Sequence, residues 1–121
     1  MVGIDISGRH EERGEYLMVA AAVAAGVGSN RIHEVTGIGF ATSRAEPALE
    51  HLLSVVEEAL GALSDPPEGP VVAERGEFYE EPATVIGASF GPKFKYVESV
   101  AERRTVEIAH HAAYAARTLI L

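Results

Sequence analysis

Tyr16-Leu17-Met18-Val19-Ala20-Ala21-Ala22-Val23 is the stretch on which the fold turns. No polar residue interrupts it, so periodicity alone reads as well as a strand buried on both faces as it does as a short helix. Its flanks decide. Gly8-Arg9-His10-Glu11-Glu12-Arg13-Gly14 precedes it as a polar turn bounded by glycines, Gly26-Val27-Gly28-Ser29-Asn30 follows as another, and no helix cap is present. The stretch therefore reads as a strand. Upstream, Val2, Ile4 and Ile6 alternate with Gly3, Asp5 and Ser7, the pattern of a first strand that forms a hairpin with it. Downstream, Ile32 to Thr42 reads as a third strand, weakened or bulged at Gly37 and Gly39.

Beyond Thr42 the period changes. Leu49, Leu52, Leu53, Val56, Leu60 and Leu63 form the apolar stripe of one helix, with Ser43 and Glu46 in the spacing of a capping box and Pro47 close to its start. Ser64 to Pro70, with three prolines, ends it. Val71-Val72-Ala73 then reads as a short parallel strand entering Glu74, Arg75 to Pro82 as a loop, and Thr84 to Phe90 as a fifth strand. From about Lys95 to the end the chain has helix formers and no breaker, with Val97, Ala101, Ile108, Ala112, Ala115 and Leu119 as the apolar stripe. Three antiparallel strands followed by crossover strands predict an α/β domain over residues 1–121, with a mixed sheet and two main helices.

Composition bounds the rest. The chain has 121 residues, 47% of them apolar, and no cysteine, which excludes disulfides, thiolate metal sites and cysteine nucleophiles. No run approaches the ~20 apolar residues of a membrane helix, and the first residues lack the basic-then-apolar order of a secretory signal, so a cytoplasmic protein without membrane contact is expected. The net charge of −8 argues against a surface that coats nucleic acid. The charge is uneven: ten carboxylates against one base between Glu46 and Glu81, five bases against three acids from Lys93 onward. Gly37-Ile38-Gly39 lacks the third glycine and helix start of a dinucleotide fingerprint. Lys93, Phe94, Lys95 and Tyr96 alternate base with aromatic, which suits stacking on single-stranded nucleic acid and equally the anchor of a helix.

The element order, with Asp5 inside the first strand, resembles the ribonuclease H-like fold. The residues that carry the resemblance are Gly3-Ile4-Asp5-Ile6-Ser7-Gly8, Val71-Val72-Ala73-Glu74, and the acidic positions Glu98, Glu102 and Glu107 on the last helix. The wording of Gly3 to Arg9, of Phe94 to Ser99 and of Glu107 to Ala112 is also similar to a small uncharacterised archaeal family, over the whole chain. The ribonuclease H-like resemblance implies cleavage of phosphodiesters with Mg²⁺ or Mn²⁺, with nucleic acid as partner. Asp5, Glu74 and Glu98 would be the catalytic ligands and Glu102 a further one. Two departures stand beside it: glutamate at position 74, where the fold usually carries aspartate, and one helix fewer.

Physical chemistry bears on the same residues. Magnesium takes oxygen ligands and keeps several waters, so a few carboxylates at strand ends suffice. Asp5 lies between Ile4 and Ile6, where a buried carboxylate is costly without a cation or donors; a turn at Ser7-Gly8 or an arginine would satisfy it as well. Glu74 sits at the carboxyl end of a parallel strand, where open α/β sheets bind ligands, or is an ordinary loop carboxylate. Glu107, His110 and His111 cluster on the last helix without an evident second ligand source, the pattern of a surface patch. Arg104 could pair with Asp5 or Glu74 in place of a metal, which defines the alternative function: a catalytically inactive binding or assembly module. The Leu119-Ile120-Leu121 end and the alanines before it predict a homodimer through the last helix.

Overall fold

Met18 to Val23 does belong to a strand, with Tyr16 and Leu17 just before its start, and everything else is arranged around it. A computed structural model describes residues 1–64 and 69–121. Asp65 to Glu68, in the three-proline loop anticipated after the first helix, lie outside the described residues. The elements run β1 (Val2–Ser7), β2 (Met18–Val27), β3 (Ile32–Ser43), α1 (Leu49–Gly61), β4 (Val71–Ala73), α2 (Ala83–Phe90), β5 (Lys95–Tyr96) and α3 (Val100–Ile120). They make one five-stranded mixed sheet in the order β3-β2-β1-β4-β5. β1 pairs antiparallel with β2 and β2 with β3, whereas β4 lies parallel to β1 and β5 parallel to β4.

The alanine run of β2 is explained by what lies on its two sides. Met18, Ala20 and Ala22 face a core shared with Ile4, Leu52 and Val56, under α1; Ala21 and Val23 face Ala109 and Ala113 of α3. A strand covered by a helix on both faces has no wet side, and small residues let both helices come close. The bulge expected near Gly37 is present, as the register slips so that Gly37 pairs with Ala24 and Val35 with Ala25. Gly39 has a separate reason: a Cβ there would lie 2.2 Å from the Ala59 carbonyl oxygen of α1.

Four expectations are corrected. Thr84 to Phe90 is helical, giving three helices in place of two main ones, because the strand position beyond β4 is taken by Lys95 and Tyr96. As helix α2, that segment places Ile86 in the core and stacks Phe90 against Phe78 and Phe94, a gain that overrides its β-branched residues. The last helix accordingly starts at Val100, where Ser99 and Glu102 form a capping box. The first helix has no such box: α1 begins at Leu49 after Ala48, and the Ser43 hydroxyl accepts from the Ala45 N–H instead.

The fourth correction concerns the phase of α3. Its buried face is Ala101, Glu102, Thr105, Val106, Ala109 and Ala113, while Leu119 is 86% exposed. The helix is turned from its sequence-based stripe by one close approach: a Cβ on Gly3 would stand 2.8 Å from the backbone of Thr105. With α3 seated directly on β1 at that point, the residues facing the sheet are small ones. Phe94 and Tyr96, read as bases' stacking partners or a helix anchor, are both buried in the aromatic cluster with Phe78 and Phe90, so neither presents a ring for stacking.

Candidate functional site

β1 brings its aspartate under the last helix. Gly3 faces Thr105 of α3, so Asp5, two residues on, faces α3 as well. There His110 Nδ1 lies 3.2 Å from Asp5 Oδ2, joining residues 105 apart in the chain. One proton serves both: Nδ1–H donates to the carboxylate, or a protonated Asp5 donates to the ring nitrogen. Asp5 is 6% exposed while the His110 side chain is 61% exposed, so the pair reaches from the interior to solvent.

A second carboxylate closes the site from the sheet side. β4 ends at Ala73, and past its end the Ile6 N–H of β1 has no strand to bond. The buried Glu77 accepts that N–H at Oε1 with a distance of 2.8 Å. Arg9 reaches the same oxygen at 2.8 Å, donates to the Glu77 backbone carbonyl, and lies 5.7 Å from the centre of the Tyr79 ring. The turn that carries Glu77 is held by the fully buried Phe78 and by the Tyr79 hydroxyl donating to the Pro47 carbonyl. Tyr79 and Glu80 adopt φ of 55° and 61° in succession, a left-handed conformation that side chains disfavour. Strain of that kind, beside a buried carboxylate, is where the fold departs from its most stable local geometry.

Burial pushes the Asp5 carboxyl from 3.8 to about 7, with the nearby Glu77 charge adding to it and His110 and Arg9 opposing. Burial likewise raises Glu77, against the pull of Arg9. Two neighbouring buried acids with raised values are a recognised mark of a functional site. Removing the guanidinium should therefore be costly: Arg9→Ala leaves Glu77 buried with one backbone donor, for an expected loss of about 2 kcal/mol. Because Glu77 must be charged for that cost to appear, urea unfolding should show a larger loss at pH 8 than at pH 5.

The residues anticipated from sequence divide into two groups. The parallel register pairs Val2 with Val71 and Gly3 with Val72, and Glu74 follows directly on Ala73, the last residue of β4. Glu74 also acts on Glu77 electrostatically, and its half-exposed carboxylate has Arg103 at 3.8 Å. Glu98 and Glu102 are instead engaged at the start of α3. Glu98 is 3.4 Å from Lys95, and Glu102 is 2.8 Å from Lys95 and accepts from the N–H groups of Glu98 and Ser99. Burial pushes Glu102 up, yet Lys95 and those two N–H groups hold its carboxyl below the ordinary value. Arg104 does not enter the site: it pairs on the surface with Glu107, and the arginines that meet the acids are Arg9 and Arg103. Glu77, Arg9 and His110 are the residues that sequence reading missed as site residues. The available signal was the missing second partner of the Glu107-His110-His111 cluster, which is Asp5.

Together these features define a mixed-sheet α/β protein with a buried acidic centre at the carboxyl ends of β1 and β4, roofed by an imidazole. Residues 2–121 match the family described as "Uncharacterized protein conserved in archaea (DUF2209)", and the chain belongs to it. It is 29% identical to "Uncharacterized protein MJ0095" of Methanocaldococcus jannaschii over 121 residues, covering 99% of this chain and 95% of that protein. No solved structure matches the chain. Among the described residues, no helix is long and apolar enough to cross a membrane.

Proposed function

We propose that the chain is a ribonuclease H-like domain that binds Mg²⁺ or Mn²⁺ at Asp5 and Glu74 and cleaves phosphodiesters. One observation carries the reading: a buried aspartate on the central strand of a β3-β2-β1-β4-β5 sheet, with a glutamate just past the end of neighbouring β4, each meeting a residue of the last helix. The donor chemistry fits a hard cation, since both groups offer carboxylate oxygens and Glu74 is half-exposed. Among the described residues, no three His, Cys, Asp or Glu side chains are grouped closely enough to hold an ion as they stand. The ligand set is accordingly Asp5 with Glu74, completed by water, and does not include Glu98 or Glu102. A bound divalent cation supplies charge stabilisation at a phosphoryl oxygen and acidifies a coordinated water. Asp5 and His110 share a proton at Oδ2 and Nδ1, Arg9 keeps Glu77 in place beneath them, and the exposed edge of His110 faces an incoming substrate.

The alternative is a catalytically inactive binding or assembly module. It is favoured by a specific feature, that Arg9 and Arg103 already meet Glu77 and Glu74. Calorimetric titration with MgCl₂ and MnCl₂, followed by cleavage assays on labelled DNA, RNA and an RNA–DNA hybrid, separates the two. The enzyme reading expects saturable metal binding and cleavage, both lowered at least ~100-fold in Asp5→Asn. A folded protein that binds neither ion and cuts none of the three substrates supports the inactive module.

A further inference from the structure

β3 ends the sheet, and no other described strand lies against its outer edge. A 12-residue edge strand offers a row of free N–H and C=O groups, which monomeric proteins blunt with lysine, proline or inward-pointing charge. From Gly37 to Thr42 this strand has none of them, and its bulge at Thr36 lies before that stretch. Its charges stand at the two ends instead, Glu34 near the start and Arg44 just past the finish, both exposed.

The face of β3 beside α3 is apolar and uncovered. Phe40 pairs with Ala21, Ile38 with Val23 and Val35 with Ala25, so all three point to the side on which α3 lies. α3 covers β1 and β2 but stops short of this row, leaving Val35, Ile38 and Phe40 43–44% exposed. Ile108 and Ala112 line the border, packed against Ala21 and Val23. At 100° per residue, Ala115 and Leu119 continue that flank along the helix. These four are the stripe that the sequence directs toward an apolar surface, and within one chain that surface is incomplete.

We propose that this edge is the interface between two copies of the chain, with β3 pairing antiparallel to β3 of the second copy about a two-fold axis at Gly39. That register sets Ile38 beside Phe40 of the second copy on the α3 side, twice. One strand thus carries both halves of each pair, which is the requirement for self-recognition and is not required of a surface made for an unrelated protein. The net charge of −8 does not oppose association, because neither the row Val35 to Thr42 nor the helix flank contains a carboxylate. A strand edge about 40 Å long, with the α3 flank alongside, offers surface of the order of the ~800 Å² that each partner contributes to a stable interface. Sequence reading placed the contact on the C-terminal half of the last helix; in the dimer proposed here its centre lies on β3.

Light scattering and sedimentation of the full chain at ~10–100 μM test the proposal. The expected mass is twice 12.8 kDa, and Ile38→Glu with Phe40→Glu should return it to 12.8 kDa with an unchanged circular dichroism spectrum. Because the chain lacks cysteine, Ile38→Cys with Phe40→Cys should form an intermolecular disulfide on mild oxidation. A wild-type mass of 12.8 kDa at ~100 μM overturns the proposal. So does a dimer that survives the two glutamates.

Discussion

Asp5→Asn is expected to make the protein more stable at pH 8, by about 3–4 kcal/mol. The Asp5 carboxyl titrates near 3.8 when unfolded and at about 7 when folded, burial being the main cause and the Glu77 charge the second. Below 3.8 it is protonated in both states and contributes no penalty. Between 3.8 and 7 the folded state holds the proton more tightly than the unfolded one, so stability falls as pH rises. Above 7 the charge is present in both states and the full cost of a buried carboxylate is borne by the folded protein. Asparagine keeps the shape and still accepts a hydrogen bond from His110, but has no proton to lose. Denaturant unfolding from pH 4 to pH 8 should therefore show wild type losing stability against the variant, the difference disappearing near pH 4. A variant less stable than wild type at pH 8, or a difference that does not change with pH, would contradict this account of the site.

Gly3→Val should have an effect as large and in the opposite direction. A Cβ at Gly3 stands 2.8 Å from the Thr105 carbonyl carbon and oxygen and 2.9 Å from its Cγ2. Two of those three atoms are backbone, so no rotamer change relieves the overlap; α3 must lift from β1. Lifting it opens the cluster of Ala21, Val23, Ala109 and Ala113 that lies beneath the helix. Alanine at this position should cost about 2–3 kcal/mol and valine about 4 kcal/mol or more. Thermal unfolding should register the alanine change as a drop of roughly 10 °C or more. Thr105→Ala should fail to rescue it, since only the Cγ2 contact is removed; a full rescue would show that the backbone approach is not what matters.

Both predictions depend on the same contact between β1 and α3, and that contact is where sequence reading and structure part. The apolar stripe of α3 placed Ile108, Ala112, Ala115 and Leu119 toward the core. Tertiary packing turned the helix so that Thr105, Ala109 and Ala113 face the sheet. Periodicity reports how many apolar residues share a face, and it weighs a leucine above an alanine. It does not report that a glycine opposite will draw the helix backbone in and make small residues the ones that fit. The change of phase is also what put His110 over Asp5 and left Arg104 in solvent.

The same limit explains α2. Thr84-Val85-Ile86 has strand composition, but β5 occupies the place beyond β4, and the aromatic cluster rewards Phe90 for joining it on a helix. A local pattern cannot know that the position is taken. The strands of the meander were legible because each is long, bounded by glycine turns and, in β2, apolar without interruption, so that no competing packing could alter their type. Asp5 was legible for a related reason, a lone charge in an apolar strand being conspicuous in any fold. Glu77 was not: it is one of ten carboxylates in an acidic stretch, and only the end of β4, which leaves the Ile6 N–H without a strand partner, distinguishes it from the other nine. From the sequence alone follow the α/β class, the order of the first three strands and the aspartate at the centre of the sheet, since these depend on local pattern and on the cost of burying charge. The partners of that aspartate follow only from the tertiary structure, because Glu77, Arg9 and His110 reach it from separate elements whose spacing and rotation are set by packing.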